Sequence, residues 1–338
     1  MNNNPQENNL ESVFRGKNIL ITGGLGFIGS NIALALHKMG ANITILDALL
    51  PLYGGNEFNV AEIREKIKVV IGDIRDEKTV NDVVVGQDYI FNLAAQVSYI
   101  DSITEPFLDL DINCLGHLRV LEAARKLAPK TKIIFSSSRL AYGRIVTTPV
   151  DESHPTNPVS MYGVHKLAAE KYYNIYGETY GLRSSVIRIP NPYGPRQQMK
   201  HSKYSIVGWF IRQAIEGKDI QVFGDGKQER DYLYIDDIVS AFLLVAASDS
   251  TNGEIYNIGT HERVCFVDMV DAILDVVGTG KKVHIPWPKN YERNETGNYI
   301  ADTRKIQRAV GWEAKVTLRN GIEETVAYFL KNKEHYWS

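Results

Sequence analysis

Short apolar runs alternate along the chain with longer segments whose apolar residues recur every three to four positions. Five runs have the length and composition of strands buried on both faces, and they lie at residues 17–22, 41–46, 68–72, 88–93 and 132–135. Helical spacing follows at residues 31–39 and 111–127. This regular alternation predicts an α/β fold with a doubly wound parallel sheet.

A glycine-rich turn joins the first predicted strand to the first predicted helix. Gly23, Gly26 and Gly29 permit a tight turn, close approach of the backbone to a pyrophosphate and close packing of helix on strand. The start of the helix offers free N–H groups and a positive dipole end to phosphates. Alone, such a motif marks only a tight turn. The strand before it and the helix after it favour a dinucleotide site.

Asp47 ends the second predicted strand, where an acid selects the dinucleotide in Rossmann-type folds. Its carboxylate would accept hydrogen bonds from the adenosine ribose and repel a 2′-phosphate. No arginine follows Asp47 to hold such a phosphate. We therefore predict NAD, rather than NADP, as the cofactor.

Other predicted strands also end in residues suited to a bound cofactor. Ligands of open α/β sheets bind beyond the carboxyl ends of the strands. At these ends the chain has an acid for the adenine edge, small side chains beside the cofactor and a serine segment. The further residues predicted to contact the cofactor are Phe27, Ile28, Asp73, Ile74, Leu93, Ala94, Ala95, Gln96, Asn113, Ser136 and Pro190.

Tyr162 and Lys166 have the spacing of a redox base and its partner. On a helix, positions i and i+4 share one face, so the phenol and the ammonium point into one site. A free tyrosine titrates near pH ~10, and a fixed cation nearby favours its phenolate. Most isolated matches to this spacing lie on solvated helices. Here the pair follows a glycine-rich turn about 140 residues earlier, which favours a catalytic role.

Composition narrows the possible partners and compartments. The chain has 338 residues, 44% of them apolar, and a formal net charge of −2. This balance gives no reason to expect nucleic acid or an anionic membrane as a partner. No apolar run reaches the length of a spanning helix, and no secretory signal pattern is present. Cys114 and Cys265 are expected to be free thiols in a reducing cytoplasm, and no Cys/His spacing suggests a metal.

Five motifs are similar to those of the extended short-chain dehydrogenase/reductases, the nucleotide-sugar epimerase/dehydratase family. They are TGGLGFIGS at 22–30, SSSRLAYG at 136–143, YGVHK at 162–166, RIPNPYGPR at 188–196 and GDGKQERDY at 224–232. The resemblance runs from about residue 17 to the C-terminus. It is closest to UDP-glucose 4-epimerases and implies Ser138, Tyr162 and Lys166 as the catalytic residues.

The same resemblance implies where a nucleotide sugar binds. It assigns the diphosphate to Asn191 and Arg230, and the alternative for Arg230 is an ion pair with Asp231 or Asp236. A guanidinium suits a pair of phosphate oxygens. Base, ribose and sugar would be met by the remaining predicted contacts, which are Ser138, Arg139, Val207, Val222, Phe223, Arg293 and Glu295.

The residues after Ser138 bear on the reaction. Dehydratases of the family place an Asp-Glu pair there, whereas this chain has Arg139 and Leu140, so a 4,6-dehydratase is disfavoured. We predict a UDP-sugar 4-epimerase that transfers hydride transiently to tightly bound NAD. The alternatives are another nucleotide-sugar oxidoreductase, a decarboxylase, or a UDP-glucuronate 4-epimerase in which Arg139 meets the carboxylate. A non-enzymatic NAD-binding regulator is disfavoured because Ser138, Tyr162 and Lys166 are all present.

The predicted domain organisation has three parts. Residues 1–16 form a disordered tail, since the first nine are Asn-rich and nearly without apolar side chains. Residues 17–190 form the NAD-binding Rossmann domain, to which the chain returns near 232–259. Residues 191–338 form mainly a smaller α/β lobe for the nucleotide sugar.

A homodimer is predicted through helices at 111–127 and 162–180. On the second of these helices, His165 is expected to face solvent.

Overall fold

The computed structural model describes residues 5–51, 53–204, 206–287 and 295–337. Strands within these ranges are β1 (Asn18–Thr22), β2 (Asn42–Asp47), β3 (Lys68–Ile71), β4 (Tyr89–Asn92), β5 (Lys132–Ser138), β6 (Arg183–Ile189), β7 (Asn191–Tyr193), β8 (Asp219–Phe223), β9 (Glu229–Arg230), β10 (Tyr232–Tyr234), β11 (Ile255–Asn257), β12 (Val264–Cys265) and β13 (Lys281–Ile285). Helices are α1 (Pro5–Phe14), α2 (Phe27–Lys38), α3 (Glu77–Val84), α4 (Asp101–Thr104), α5 (Pro106–Leu110), α6 (His117–Leu127), α7 (Met161–Tyr180), α8 (Ile206–Ile215), α9 (Ile235–Ala247), α10 (Phe266–Val277), α11 (Arg304–Val310) and α12 (Leu318–Lys331).

A seven-stranded sheet in the order β11-β6-β5-β4-β1-β2-β3 forms the centre of the large domain. All its neighbouring strands run parallel. The order reverses direction at β1, as in a Rossmann-type fold. The predicted doubly wound sheet is confirmed.

Each strand of this sheet contributes to two hydrophobic cores, because successive side chains point to opposite faces. Ile19 and Ile21 of β1 pack in the core that contains α2 and α9, while Leu20 packs in the core that contains α3, α6 and α7. All three side chains are fully buried. The continuous apolar run at 17–22 therefore reflects burial on both faces of the sheet.

The predicted disordered tail at residues 1–16 is wrong over helix α1. Leu10 and Phe14, one helical turn apart, are both buried, and the Phe14 ring lies 5.2 Å from the ring of Tyr89. Val13, partly buried, packs against the same core, so three apolar residues fix a helix whose remaining residues are mostly polar. Residues 1–4 lie outside the described range.

The smaller C-terminal lobe combines parallel strands β8 and β13 with helices α8 and α10. Two short pairs of strands complete the described sheets: β7 runs parallel to β10, and β9 runs antiparallel to β12. After β10 the chain returns to the large domain, where α9 packs on β5 and β6 and β11 pairs with β6. No described helix has the length and apolar content needed to cross a membrane.

Candidate active site

A cavity of about 450 Å³ runs along the carboxyl edge of the large sheet. This volume suits a small-molecule or cofactor site. Of the residues predicted from sequence, its wall contains Gly23, Gly26, Phe27, Ile28, Gly29, Asp47, Asp73, Ile74, Leu93, Ala94, Ala95, Ser136, Ser138, Arg139, Tyr162, Lys166, Pro190, Asn191, Phe223, Arg230 and Glu295. The fold therefore gathers residues that are up to 272 positions apart around one space.

Two predicted cofactor residues lie behind the wall of the cavity. Gln96 is buried and its amide donates to the carbonyl of Ser98 at 2.8 Å. Asn113 is buried in a π-helical segment, Asp111–Gly116, and donates to the carbonyl of Gln96 at 2.7 Å. Direct contact of these two side chains with a cofactor is therefore not part of this arrangement. They hold the strand end and the helix together.

Two predicted substrate residues also lie outside the wall. Val207 and Val222 are buried in the hydrophobic core of the C-terminal lobe, because α8 and β8 turn these side chains inward. Phe223, the next residue along β8, does face the cavity, and its ring lies 5.6 Å from that of Trp287. Arg293 falls outside the described residues.

The glycine turn can adopt its tight backbone path only because side chains are absent. Gly23 has φ +69°, and a Cβ added at Gly29 would stand 2.3 Å from the carbonyl oxygen of Gly23. Gly26 precedes helix α2, whose first N–H groups open toward the cavity. These features fit the pyrophosphate of a dinucleotide at a helix N-terminus.

Asp47 is fixed at the end of β2 by backbone donors. Its carboxylate accepts hydrogen bonds from the N–H of Leu25 at 3.0 Å and of Leu49 at 2.9 Å. Burial raises the pKa of Asp47, while these backbone hydrogen bonds act in the opposite direction. A fixed acid at this position fits the two hydroxyls of an adenosine ribose.

Ser138, Tyr162 and Lys166 converge from two adjacent elements. Ser138 ends β5, while Tyr162 and Lys166 lie in the first turns of α7, which begins where the Ser160 side chain accepts from the N–H of Gly163 at 3.2 Å. The hydroxyl of Ser138 lies near the phenol of Tyr162 and acts to lower its pKa. Lys166 Nζ donates to the carbonyl of Ser136 at 3.0 Å and lies 5.9 Å from the Tyr162 ring centre.

The electrostatics of this group differ from the expectation that Lys166 lowers the pKa of Tyr162. Burial, with a further contribution from Asp109, raises the pKa of Tyr162 above its ordinary value. Burial also lowers the pKa of Lys166 to about 8. Removal from water penalises both charged forms. The protein's own groups therefore favour the neutral phenol of Tyr162, and the prediction that Lys166 lowers its pKa was wrong.

A buried hydrogen-bonded pair lies behind Tyr162 and Lys166. Nδ1 of His165 lies 2.5 Å from Oδ1 of Asp109, whose other oxygen accepts from Asn113 at 2.9 Å. His165 is only 9% exposed, so the expected solvent-facing histidine is wrong. The helix that carries Asp109 closes over this face of α7. Sequence gave one hint of this network, the spacing of Asp109 and Asn113 by four residues.

Two arginines, Arg139 and Arg230, line the same cavity. Nη2 of Arg230 donates to Glu295 at 2.5 Å, so its partner is neither Asp231 nor Asp236. Arg139 Nε donates to Asn191 at 3.2 Å. These contacts place the residues assigned to a nucleotide sugar next to Ser138, at the end of the cavity remote from the glycine turn. Groups of three or more His, Cys, Asp or Glu side chains suited to a metal are absent from the described residues.

The chain is similar in sequence to proteins of named activity. The chain is 33% identical to a UDP-glucose 4-epimerase of Mycolicibacterium smegmatis over 93% of its length and 98% of that protein. It is 32% identical to a UDP-N-acetyl-alpha-D-glucosaminuronate decarboxylase of Bacillus cytotoxicus, again over 93% of its length and 98% of that protein.

Two crystal structures extend the similarity to three dimensions. The UDP-glucose 4-epimerase of Thermotoga maritima, solved with UDP-glucose, has a TM-score of 0.86 and 34% identity over 94% of this chain and 99% of that one. The UDP-glucose 4-epimerase of Thermus thermophilus, solved with NAD, has a TM-score of 0.83 and 30% identity over 93% of this chain and 99% of that one.

A parallel sheet with a glycine turn at one end of its cavity and a Ser-Tyr-Lys group at the centre defines a short-chain dehydrogenase/reductase. The family model described as GDP-mannose 4,6 dehydratase matches residues 20–325. The chain therefore belongs to this family of nucleotide-sugar epimerases and dehydratases, as its motifs indicated.

Proposed function

We propose that this protein is a UDP-sugar 4-epimerase that uses NAD and passes through a 4-keto sugar. The observation that carries the proposal is the joint placement of Ser138, Tyr162 and Lys166 in a cavity that continues to a glycine cradle. The relatives named for UDP-glucose support the choice of nucleotide and reaction.

The chain's own groups would divide the work of oxidising C4. Tyr162 takes the proton of the C4 hydroxyl, Ser138 donates a hydrogen bond to the developing oxyanion, and Lys166 supplies positive charge nearby. NAD, when bound, supplies the hydride acceptor and a positive charge that favours the phenolate. Ser138 and Tyr162 can then return the proton after the keto sugar has turned within the cavity.

The residue after Arg139 supports epimerisation over dehydration. Elimination of water requires a separate acid and base beside the sugar, and Leu140, which lines the cavity, can exchange no proton. A non-catalytic regulator would have no use for Ser138, Tyr162 and Lys166 together on one cavity wall. Beyond NAD, epimerisation needs only the three proposed catalytic residues and space for the keto sugar to turn.

We also propose that NAD is preferred to NADP, because Asp47 is held as a hydrogen-bond acceptor by two backbone N–H groups. A carboxylate fixed there would repel a 2′-phosphate. Titration of the purified protein with both dinucleotides tests this preference. Equal affinities for NAD and NADP would contradict it.

We further propose a homodimer through helices α6 and α7 of each subunit. Large apolar side chains are 44–80% exposed on these helices and on the preceding helices α4 and α5, namely Ile103, Phe107, Leu127, Val164 and Ile175. Phe107, at 80% exposure, is the most exposed of them. Burial of such a patch between two copies is a common use of apolar surface.

Incubation with a panel of UDP-, dTDP-, GDP- and CDP-sugars, with products identified by NMR, tests the function. We expect a UDP-sugar to yield a product that differs from it only in configuration at C4. Since the hydride returns to the same sugar, absorbance of reduced nicotinamide should not accumulate. Tyr162→Phe should lower kcat by about 10²–10⁴-fold with little change in UDP-sugar binding.

Tyr180→Phe, at the exposed end of the same helix, is the matched control and should retain full activity. Stoichiometric release of reduced nicotinamide would indicate a dehydrogenase instead. A 4-keto-6-deoxy product would indicate a dehydratase. Unchanged activity of Tyr162→Phe would contradict the assignment of the base.

A further inference from the structure

The guanidinium of Arg139 lies on the wall of the cavity directly after Ser138 in the chain. Its Nη1 donates to Oγ1 of Thr296 at 3.0 Å and its Nε donates to Oδ1 of Asn191 at 3.2 Å. One face of the group stacks on the buried ring of Tyr299 at 5.4 Å. These contacts fix the orientation of the guanidinium, and every one of them is made with an uncharged side chain.

The charge of Arg139 is not balanced by a carboxylate of the described residues. Glu295, the acid nearest to this end of the cavity, is bonded to Arg230 at 2.5 Å. Lys203, another cation of the cavity wall, is paired with Asp101 at 2.8 Å. Burial, with repulsion from Arg230, lowers the pKa of Arg139 to about 10, so it remains positive at neutral pH.

A fixed and unpaired cation in a cavity is costly unless a ligand supplies an anion. A nucleotide sugar offers two anionic groups, the diphosphate on C1 and, in a hexuronic acid, the carboxylate on C5. C1 lies across the pyranose ring from C4, whereas C5 is bonded to C4. Asn191 and Arg230 are the residues assigned to the diphosphate, which leaves Arg139 for the group on C5 if Ser138, the residue before it, meets the C4 hydroxyl.

We propose that Arg139 binds the carboxylate of a hexuronic acid, which makes a UDP-hexuronic acid the preferred substrate; this inference rests on the proposed function. The planar guanidinium can donate two parallel hydrogen bonds to a carboxylate, an arrangement that no neutral hexose can use. The carboxylate is bound and not transformed, so the reaction remains transfer of hydride from C4 and back.

The test compares UDP-glucuronate with UDP-glucose in the full-length protein saturated with NAD. The wild-type protein should show the higher kcat/KM for UDP-glucuronate. Arg139→Gln keeps an amide for Asn191 and Thr296 but removes the charge. It should lower the ratio of the two kcat/KM values by at least about 30-fold, as expected when one partner of a buried charge pair is removed.

Two further variants separate recognition of the carboxylate from general damage. Arg139→Lys retains the charge without the planar fork and should lower the ratio by less than Arg139→Gln does. Arg144→Gln, an exposed arginine five residues further along, should leave the ratio unchanged. Circular dichroism and thermal unfolding establish that each variant is folded.

Calorimetric binding of UDP, UDP-glucose and UDP-glucuronate gives a second readout that needs no turnover. We expect Arg139→Gln to weaken the binding of UDP-glucuronate selectively. Equal weakening of the binding of both UDP-sugars would show that Arg139 only maintains the structure of the cavity. Weaker binding of UDP itself would show that Arg139 contacts phosphate. Either result overturns the inference. Turnover of UDP-glucose with no preference for the uronate also overturns it, while the proposed function stands.

Release of CO₂ from UDP-glucuronate, lost in Arg139→Gln, would support the inference and overturn the proposed 4-epimerase. Selective binding of UDP-glucuronate without any epimerisation would do the same. The two proposals therefore fail in different experiments.

Discussion

The ion pair between Glu170 and Arg188 lies directly beneath the catalytic group. Glu170 is on the helix that carries Tyr162 and Lys166, and it is fully buried. Its two oxygens accept from Arg188 at 2.9 and 2.6 Å, and Oε1 also accepts from Ser137 at 2.5 Å. Helix α7 is thus tied to the ends of β5 and β6 by three hydrogen bonds.

Replacing Glu170 with Gln leaves the guanidinium of Arg188 buried, at 2% exposure, without a counter-charge. Breaking a buried pair from one side costs about 3–5 kcal/mol. For a chain of 338 residues, with about 2 °C of Tm per kcal/mol, the expected loss is about 6–10 °C. Differential scanning calorimetry and urea titration measure the two quantities independently.

A surface pair provides the matched control. Glu323 and Arg319 are joined at 3.1 Å with about half or more of each side chain exposed, so Glu323→Gln should cost less than about 1 kcal/mol. Replacing Glu170 and Arg188 together with Met removes both charges and should destabilise less than Glu170→Gln alone. A Glu170→Gln variant as stable as Glu323→Gln would refute the reasoning.

Three further predictions concern the cofactor cradle, the pH profile and the subunit contact. Gly29→Ala should abolish measurable NAD binding in calorimetry, since its Cβ would stand 2.3 Å from a carbonyl oxygen; Gly177→Ala, where the nearest atom is 3.5 Å away, is the control. Because burial lowers the pKa of Lys166 to about 8, its cation is lost as pH rises through 8. In urea titrations, unfolding free energy should therefore rise from about pH 8 toward the ordinary lysine value near ~10.4, and a Lys166→Met variant should lose this rise. Sedimentation at micromolar concentration should show a dimer that Phe107→Glu dissociates and that Val146→Glu, also highly exposed, leaves intact; a monomeric wild type would contradict the subunit contact.

Local patterns were enough for the sheet, the glycine turn and the catalytic spacing. Burial of β1 on both faces produces a continuous apolar run, and the turn after it needs glycine because backbone occupies the space of a Cβ at Gly29. The four-residue interval of Tyr162 and Lys166 follows from helix geometry. Each of these features depends on neighbours in the chain, so sequence alone determined them.

The average composition of a segment gave a wrong prediction where a few of its residues decide the structure. Helix α1 lies within an Asn-rich segment, yet Leu10 and Phe14 fix it against the sheet. Val207 and Val222 are each next to a residue of the cavity wall, but the direction of each side chain depends on how α8 and β8 pack. A one-residue difference along β8 separates buried Val222 from Phe223 on the cavity wall.

Only the tertiary structure showed which polar side chains pair with one another. Glu295 reaches Arg230 across 65 residues, and Asp109 reaches His165 across 56. Such pairs form where loops and helices from separate parts of the chain are brought within hydrogen-bonding distance, and no periodic signal records that approach. Burial then shifts the pKa of Tyr162 upward, against the effect expected from Lys166 alone. Desolvation depends on everything packed around a group, which is why the sequence predicted candidate catalytic side chains but not their charge environment.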